Sequence, residues 1–184
     1  MRATEILMEE HQVILRVLTA LEKATSQIDT GRVKPGFYLD AADFIKNFAD
    51  GCHHAKEEGV LFKYMEDNGV PVQGGPIGVM LSDHEAGRQF TRQMRDAAQK
   101  WEAGDKAAVA DVKTNAEGYV GLLRAHIMKE NNVLFPMADR VVPLDIQPEV
   151  EEKFEFVEHE ETGEGVHEKY LALAEKMERD AAAF

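Results

Sequence analysis

His53-His54-Ala55-Lys56-Glu57-Glu58-Gly59-Val60-Leu61-Phe62 decides the fold, because the chain carries it almost twice. The second copy is His126-Ile127-Met128-Lys129-Glu130-Asn131-Asn132-Val133-Leu134-Phe135. Adding 73 to 53, 56, 57, 60, 61 and 62 returns the same residue each time, and adding 73 to His11 gives His84. Six identities in ten positions, with a third histidine at the same offset, is no chance pattern. The repeated residues are of two kinds: His and Glu, which ligate metals, and Val, Leu and Phe, which fill cores.

Outward from the repeat the chain reads as helices. Ile6, Leu7, His11, Ile14, Leu18 and Leu21 recur at three- and four-residue steps, which predicts a first helix over about residues 4–29 with Thr4 as its N-cap. The stretch Thr30–Gly36, with Gly31, Pro35 and Gly36, breaks it. A second helix is expected over about residues 37–67, with Ile45, Ala49, His53, Glu57, Val60 and Tyr64 on one stripe. After the turn-rich Asn68–Gly75, a third helix carries Ile77, Met80, His84, Gly87, Thr91, Met94, Ala98 and Trp101 along its inner face. Asp105 is the expected cap of a fourth, which turns Tyr119, Leu122, Leu123, His126, Glu130, Val133 and Met137 inward and ends near residues 136–139.

Pro143 and Pro148 then mark a connector, Pro148 suiting a new helix's first turn. Val150, Phe154, Val157, Tyr170, Leu173, Ala174 and Met177 are the apolar positions of a final helical element that Thr162-Gly163-Glu164-Gly165 should bend or interrupt. No segment reads as a strand. The expectation is an all-α fold: an up-down-up-down four-helix bundle over residues 1–140, with an additional C-terminal helix in 141–184 packing on it.

A chain of 184 residues is large enough to bury such a core as one domain. Its net charge of −13 argues against a nucleic-acid partner or an anionic membrane, both of which need a basic face. The start, Met1-Arg2-Ala3-Thr4-Glu5, lacks a signal peptide's pattern, and no apolar run could span a bilayer. One cysteine, Cys52, excludes an internal disulfide and fits a reducing compartment, so a cytoplasmic location is expected. The apolar positions of the last element allow a homodimer as well as a cover for the bundle.

Antiparallel helices with a rise of ~1.5 Å per residue bring His11, His53, His84, His126, Glu57 and Glu130 to one level of the bundle core. Within each motif copy, residues four apart face the same way. Burying two carboxylates without a counter-charge is very costly, and the inward stripes supply no Lys or Arg. A cation is the natural counter-charge. Four imidazoles and two carboxylates divide evenly between two ions, with both glutamates bridging and positions left open. Such mixed ligation suits iron, manganese or zinc.

Lys56 and Lys129 are expected on the flanks, paired with acidic neighbours. His54 shares a polar stripe with Asn47, Asp50 and Glu58 and is expected to face outward. Pairing of His54 with Glu58 has the same four-residue spacing, and His54 stays open as an extra ligand or supporting group. His159 and His167, among glutamates, are expected to be solvated, and Cys52 to be a small buried residue. Gly87, a turn after His84, makes room either for a diatomic ligand or for close helix packing. Tyr119 is either core or a redox or supporting residue.

These residues resemble the hemerythrin-like, HHE cation-binding family: His11, the His53–Glu58 block with Leu61-Phe62, His84, and His126-Ile127-Met128-Lys129-Glu130 with Leu134-Phe135-Pro136. The resemblance covers roughly residues 4–138. It implies a non-haem di-iron centre, oxo- or hydroxo-bridged, in a four-helix bundle. It carries the ligand role to His11, His53, Glu57, His84, His126 and Glu130. Oxygen-carrying hemerythrins place a second histidine four residues after the first on the third helix, where this chain has Arg88. They place an aspartate five residues after the last histidine, where this chain has Glu130 at four. The five-histidine set is incomplete unless His54 completes it, and the ligand set looks closer to the iron-sensing and iron-centre-repair branches. The resemblance therefore implies binding or sensing of O2, NO or peroxide, with an oxidoreductase or an iron store or donor as the alternatives.

Overall fold

The computed structural model describes residues 2–163 and 165–184, which form six helices and no strand. Helix α1 (Ala3–Ser26) ends in a 3-10 turn, Ile28–Thr30. Thr4 is not the cap. The Glu5 side chain accepts the Arg2 amide, while the Thr4 hydroxyl, inside the first turn, donates to Asp139 at 2.8 Å. Helix α2 (residues 35–67) opens on Pro35, whose missing N–H costs nothing at a first turn. It passes through two stretches of wide, π-type turns, Ile45–His54 and Glu57–Leu61, before ending as Phe62–Asp67. Helix α3 (Pro76–Glu102) is regular throughout. Helix α4 (residues 108–141) has one π-type stretch, Glu130–Leu134. Asp105 is not its N-cap, a position Ala107 takes; the Asp105 carboxylate instead accepts the Ala107 amide in the turn just before the helix.

The C-terminal element is two helices. Helix α5 (residues 147–163) starts with Pro148 in its first turn, as expected. Helix α6 (Val166–Ala182) follows a break in which Gly163 and Gly165 both take positive φ, a conformation glycine adopts without penalty. Glu164, between them, lies outside the described residues. Helix α3 packs along α4, α1 against α4, and α2 against α3, while α6 lies across both α1 and α2. The Gln147 side chain accepts the otherwise unpaired Ala3 amide, which ties α5 to the start of the bundle.

The core is two apolar clusters rather than one. Leu7, Leu61, Met80, Leu134 and Phe135, joined by Val150 and Phe154 of α5, make up one. Ile14, Leu18, Phe48, Met94 and Tyr119, joined by Tyr170 and Met177 of α6, make up the other. His11 sits between Leu7 and Ile14, and His84 between Met80 and Met94. A layer of buried polar side chains therefore divides the core. Val133, expected inside, is 53% exposed, whereas its counterpart Val60 is buried.

Candidate metal centre

Each of the four bundle helices contributes to that layer. His11 (α1), His53 and Glu57 (α2), His84 (α3), and His126 and Glu130 (α4) are all at most 1% exposed. The structure brings together every residue singled out from the repeat. His11 Nε2 stands 3.2 Å from Glu130 Oε2, and His126 Nε2 3.2 Å from Glu130 Oε1. His53 Nε2 and His84 Nε2 approach the two Glu57 oxygens at 3.5 and 3.4 Å.

His54 joins them, against the expectation that it faces outward. It is buried, and its ring stacks on His84 with centroids 3.8 Å apart. The cause is local backbone geometry. Stripes drawn at 3.6 residues per turn do not apply where turns are wide, and His54 ends a ten-residue stretch of such turns. Adjacent residues His53 and His54 can then both reach the interior. π-type turns are rare and concentrate at functional sites.

The histidines share one arrangement. Each engages its Nδ1 outward: His11 with Asn131 Oδ1 at 2.8 Å, His53 with Glu10 at 2.9 Å, His54 with Asp50 at 3.3 Å, His84 with Glu58 at 2.7 Å, and His126 with Asp83 at 3.3 Å. With the Nδ1 proton donated to these acceptors, Nε2 carries the lone pair. Five such nitrogens point toward Glu57 and Glu130, and those of His84 and His126 come within 3.1 Å. Neither carboxylate receives a hydrogen bond.

Charge is missing from this layer. Burial and the neighbouring Glu130 drive the Glu57 carboxyl well above its usual range. Burial pushes His53 down to about 4 and, with the nearby His84, His54 down to about 3, so these imidazoles stay neutral. Facing lone pairs and two buried carboxylates without donors are what a cation site presents before the cation is counted. The donor atoms form two groups, each within 4.8 Å: His11, His53, Glu57 and Glu130, and His54, Glu57, His84 and His126. Glu57 belongs to both.

The outward acceptors are themselves held. Lys56, 1% exposed rather than on a flank, bonds Glu10 at 2.5 Å and Glu158 of α5 at 2.7 Å. Although burial acts upward, His53 and Lys56 together hold the Glu10 carboxyl down at about 2. Lys129 bonds Asp83 from a half-exposed position, as expected of a flank. Arg88 forks between Asp50 (Nε, 2.8 Å) and Glu58 (Nη2, 2.7 Å), the acceptors of the stacked His54 and His84. A further cluster of possible ligands, Glu10, Cys52, Glu158 and His167, has both its carboxylates bonded by the Lys56 ammonium, which already supplies the positive charge. His167 is therefore half-buried, its ring 5.2 Å from Phe48, and not solvated as expected, while His159 is exposed. Cys52 is buried, as expected.

Sequence reasoning missed Glu10, Asp83 and Asn131. It weighed Glu58 as a partner of His54, whereas Glu58 serves His84 and Asp50 serves His54, and it read Arg88 only as a departure from the oxygen carriers. One signal was present. Glu10 and Asp83 are 73 apart, and each precedes a repeated histidine.

The model of the hemerythrin HHE cation-binding domain matches residues 2–138. This chain belongs to that family. Among curated relatives, the uncharacterized protein Rv1995 of Mycobacterium tuberculosis is 24% identical over 183 residues, covering 99% of this chain and 71% of that protein. The iron-sulfur cluster repair protein YtfE of Dickeya chrysanthemi is 30% identical over 111 residues, which is 58% of this chain and 50% of that protein. No solved structure matches the chain. As an HHE domain with buried His/Glu clusters, it carries the makings of a cation site, and no helix among the described residues is long and apolar enough to cross a membrane.

Proposed function

We propose that this HHE domain is a non-haem di-iron protein that binds or senses dioxygen or a related small molecule, NO or peroxide, at a carboxylate-bridged centre. One observation carries the reading: five imidazoles, each pinned through Nδ1, aim Nε2 at two buried carboxylates that no hydrogen-bond donor reaches. His11 and His53 would hold one ion, and His54, His84 and His126 the other, with Glu57 and Glu130 between them. The addition of His54 makes the set uneven and leaves more open positions on the two-histidine ion. Iron bound there supplies Lewis acidity and one-electron redox chemistry. The protein's own part is to fix imidazole direction through the Nδ1 partners and to keep the carboxylates dry between two apolar clusters. Manganese or zinc fits the same donors.

The likeness to an iron-sulfur cluster repair protein favours a second reading, an iron donor or a di-iron oxidoreductase, over part of the chain. A net charge of −13 supports a partner that is neither nucleic acid nor anionic membrane.

An optical spectrum of iron-loaded, anaerobically reduced protein separates these readings. An absorption band that appears with air and vanishes when oxygen is removed is the expected result, and it means reversible binding. A band that persists until a reductant is added moves the assignment to redox chemistry. The absence of any iron-dependent band overturns the di-iron reading in favour of zinc.

A further inference from the structure

Beyond the centre lies a cavity that a diatomic ligand does not explain. A cleft of about 480 Å³ follows the α2–α3 seam from His54 and His84, past Gly87 and Thr91, to Leu39 and Gln99. Those ends are fifteen residues apart on each helix, so the cleft is roughly 20 Å long at ~1.5 Å per residue. A water-sized molecule needs about 30 Å³. Apolar-walled pockets of about 300–1,000 Å³ with a few convergent polar groups are of the size that holds organic molecules.

Three observations say what fits. The first is that this half of the bundle is open where the other is filled. Gly87, Arg88 and Thr91 stand 73 residues after Ile14, Leu15 and Leu18. A Cβ on Gly87 would meet only ordinary contacts, 3.6 Å from Tyr119 and 3.9 Å from Leu122, so close helix packing does not demand the glycine. The second is Tyr119, which lines the cleft at 1% exposure and whose hydroxyl has no partner. A buried O–H without a partner is a donor awaiting an acceptor. The third is charge. Arg92 lies eight residues from His84 and Tyr119 seven from His126, both on regular helix, which places them at one height, and Lys46 lines the same cleft from α2.

In a chain with 34 acidic against 21 basic residues, this end of the cleft carries Lys46 and Arg92, with Arg95, already paired to Asp96, a turn further on. Lys46 has no ion-pair partner among the described residues, and Arg92 meets only the exposed Glu85. The facing carboxylate, Asp43, is engaged by the Tyr170 hydroxyl and the Asn47 amide. Beyond that level the α2 wall turns apolar at Ala42 and Leu39, facing Arg95 and Gln99 of α3.

We propose that the cleft binds an organic carboxylate with an apolar tail: its head takes the Tyr119 hydroxyl from inside and Lys46 and Arg92 from outside, and its tail lies along Ala42 and Leu39. The inner end, at Gly87, stays free for a small molecule in front of His54 and His84. This site does not require metal at the centre.

Octanoate is the probe, titrated calorimetrically into the full chain as purified and after iron loading, with metal content measured separately, so that failure to bind and failure to load are read apart. Octyltrimethylammonium carries the same tail under the opposite charge. One octanoate per chain is expected, with the ammonium at least about tenfold weaker, and Tyr119→Phe and Lys46→Glu each weakening octanoate by roughly tenfold, as loss of a hydrogen bond to a charged group does. Thr91→Leu, which copies Leu18, should also weaken binding by occupying the cleft; circular dichroism and metal content verify that each variant is folded. No octanoate binding, equal binding of the ammonium, or wild-type affinity in both Tyr119→Phe and Lys46→Glu overturns the proposal.

Discussion

Helices α1 and α2 and helices α3 and α4 are two versions of one unit, and their differences are concentrated in a few places. What they share is the relay: carboxylate before a histidine (Glu10, Asp83), histidine on the next helix (His53, His126), lysine three residues on (Lys56, Lys129), and a shared glutamate (Glu57, Glu130). Even the backbone repeats, since the π-type stretches Glu57–Leu61 and Glu130–Leu134 are also 73 apart. What only the first unit has is the longer π-type stretch Ile45–His54. Its counterpart in α4 is regular helix, with Leu123 and Ile127 where α2 has Asp50 and His54. Across from these, Arg88 and Gly87 replace Leu15 and Ile14. A symmetrical frame has thus been made polar and open on one side, where a third imidazole and a cleft meet.

The largest effect should come from the element both units use. Glu57→Gln keeps the shape of a side chain that both donor groups include, but removes its charge. Bound metal should be lost from both positions, as measured by elemental analysis after dialysis. The metal-free variant should melt higher at neutral pH than the metal-free parent, because burying Glu57 requires either an unpaired carboxylate or the uptake of a proton, and glutamine requires neither. A metal-free variant no more stable than the parent would mean that Glu57 already has its counter-charge.

A second test compares two identical residues in unequal surroundings. Lys56 is 1% exposed between two carboxylates, one of them from α5, whereas the Lys129 side chain is 39% exposed. Lys56→Met leaves Glu10 and Glu158 facing each other without a cation and should cost about 3–5 kcal/mol in denaturant unfolding. Lys129→Met should cost about 0–1 kcal/mol, as exposed pairs do. Equal losses would show that burial does not distinguish the two units.

These contrasts also explain what the sequence revealed. The six repeated His and Glu residues were legible because the repeat doubled every signal and fixed each residue's phase relative to Leu-Phe. His54 was not, because a stripe at 3.6 residues per turn puts it on the polar face with Asp50, and nothing in Ile45–His54 announces wide turns. Lys56 looked like Lys129 because its burial depends on Glu158, 102 residues away on α5. Val60 and Val133 are identical in sequence, yet α5 packs beside the π-type stretch of α2 that carries Val60, while Val133 remains exposed. Local pattern reports which residues share a face; it does not report which face a distant helix will cover. The interruption around Gly163 and Gly165 was legible for the opposite reason, since glycine's φ preference is a property of the residue alone.

The smallest expected effect sharpens the comparison most, because it touches neither shared glutamate nor any imidazole. Arg88→Leu copies Leu15 and removes the fork that holds Asp50 and Glu58 behind His54 and His84. Partners that orient metal-bound histidines are worth about 10–100-fold in metal affinity, and here the partners survive while their orientation loosens, so the loss should sit near tenfold. It should fall on one ion only. Titration with a chelator should show the more easily released ion leaving earlier in the variant, while the ion of His11 and His53, whose acceptors Asn131 and Glu10 do not touch Arg88, leaves as before. Arg88→Lys should restore little of this, because an ammonium is a single point charge and cannot reproduce two bonds from one rigid plane. A uniform shift of both ions would mean that the two units are coupled through Glu57 and Glu130 more strongly than their separate histidine supports suggest.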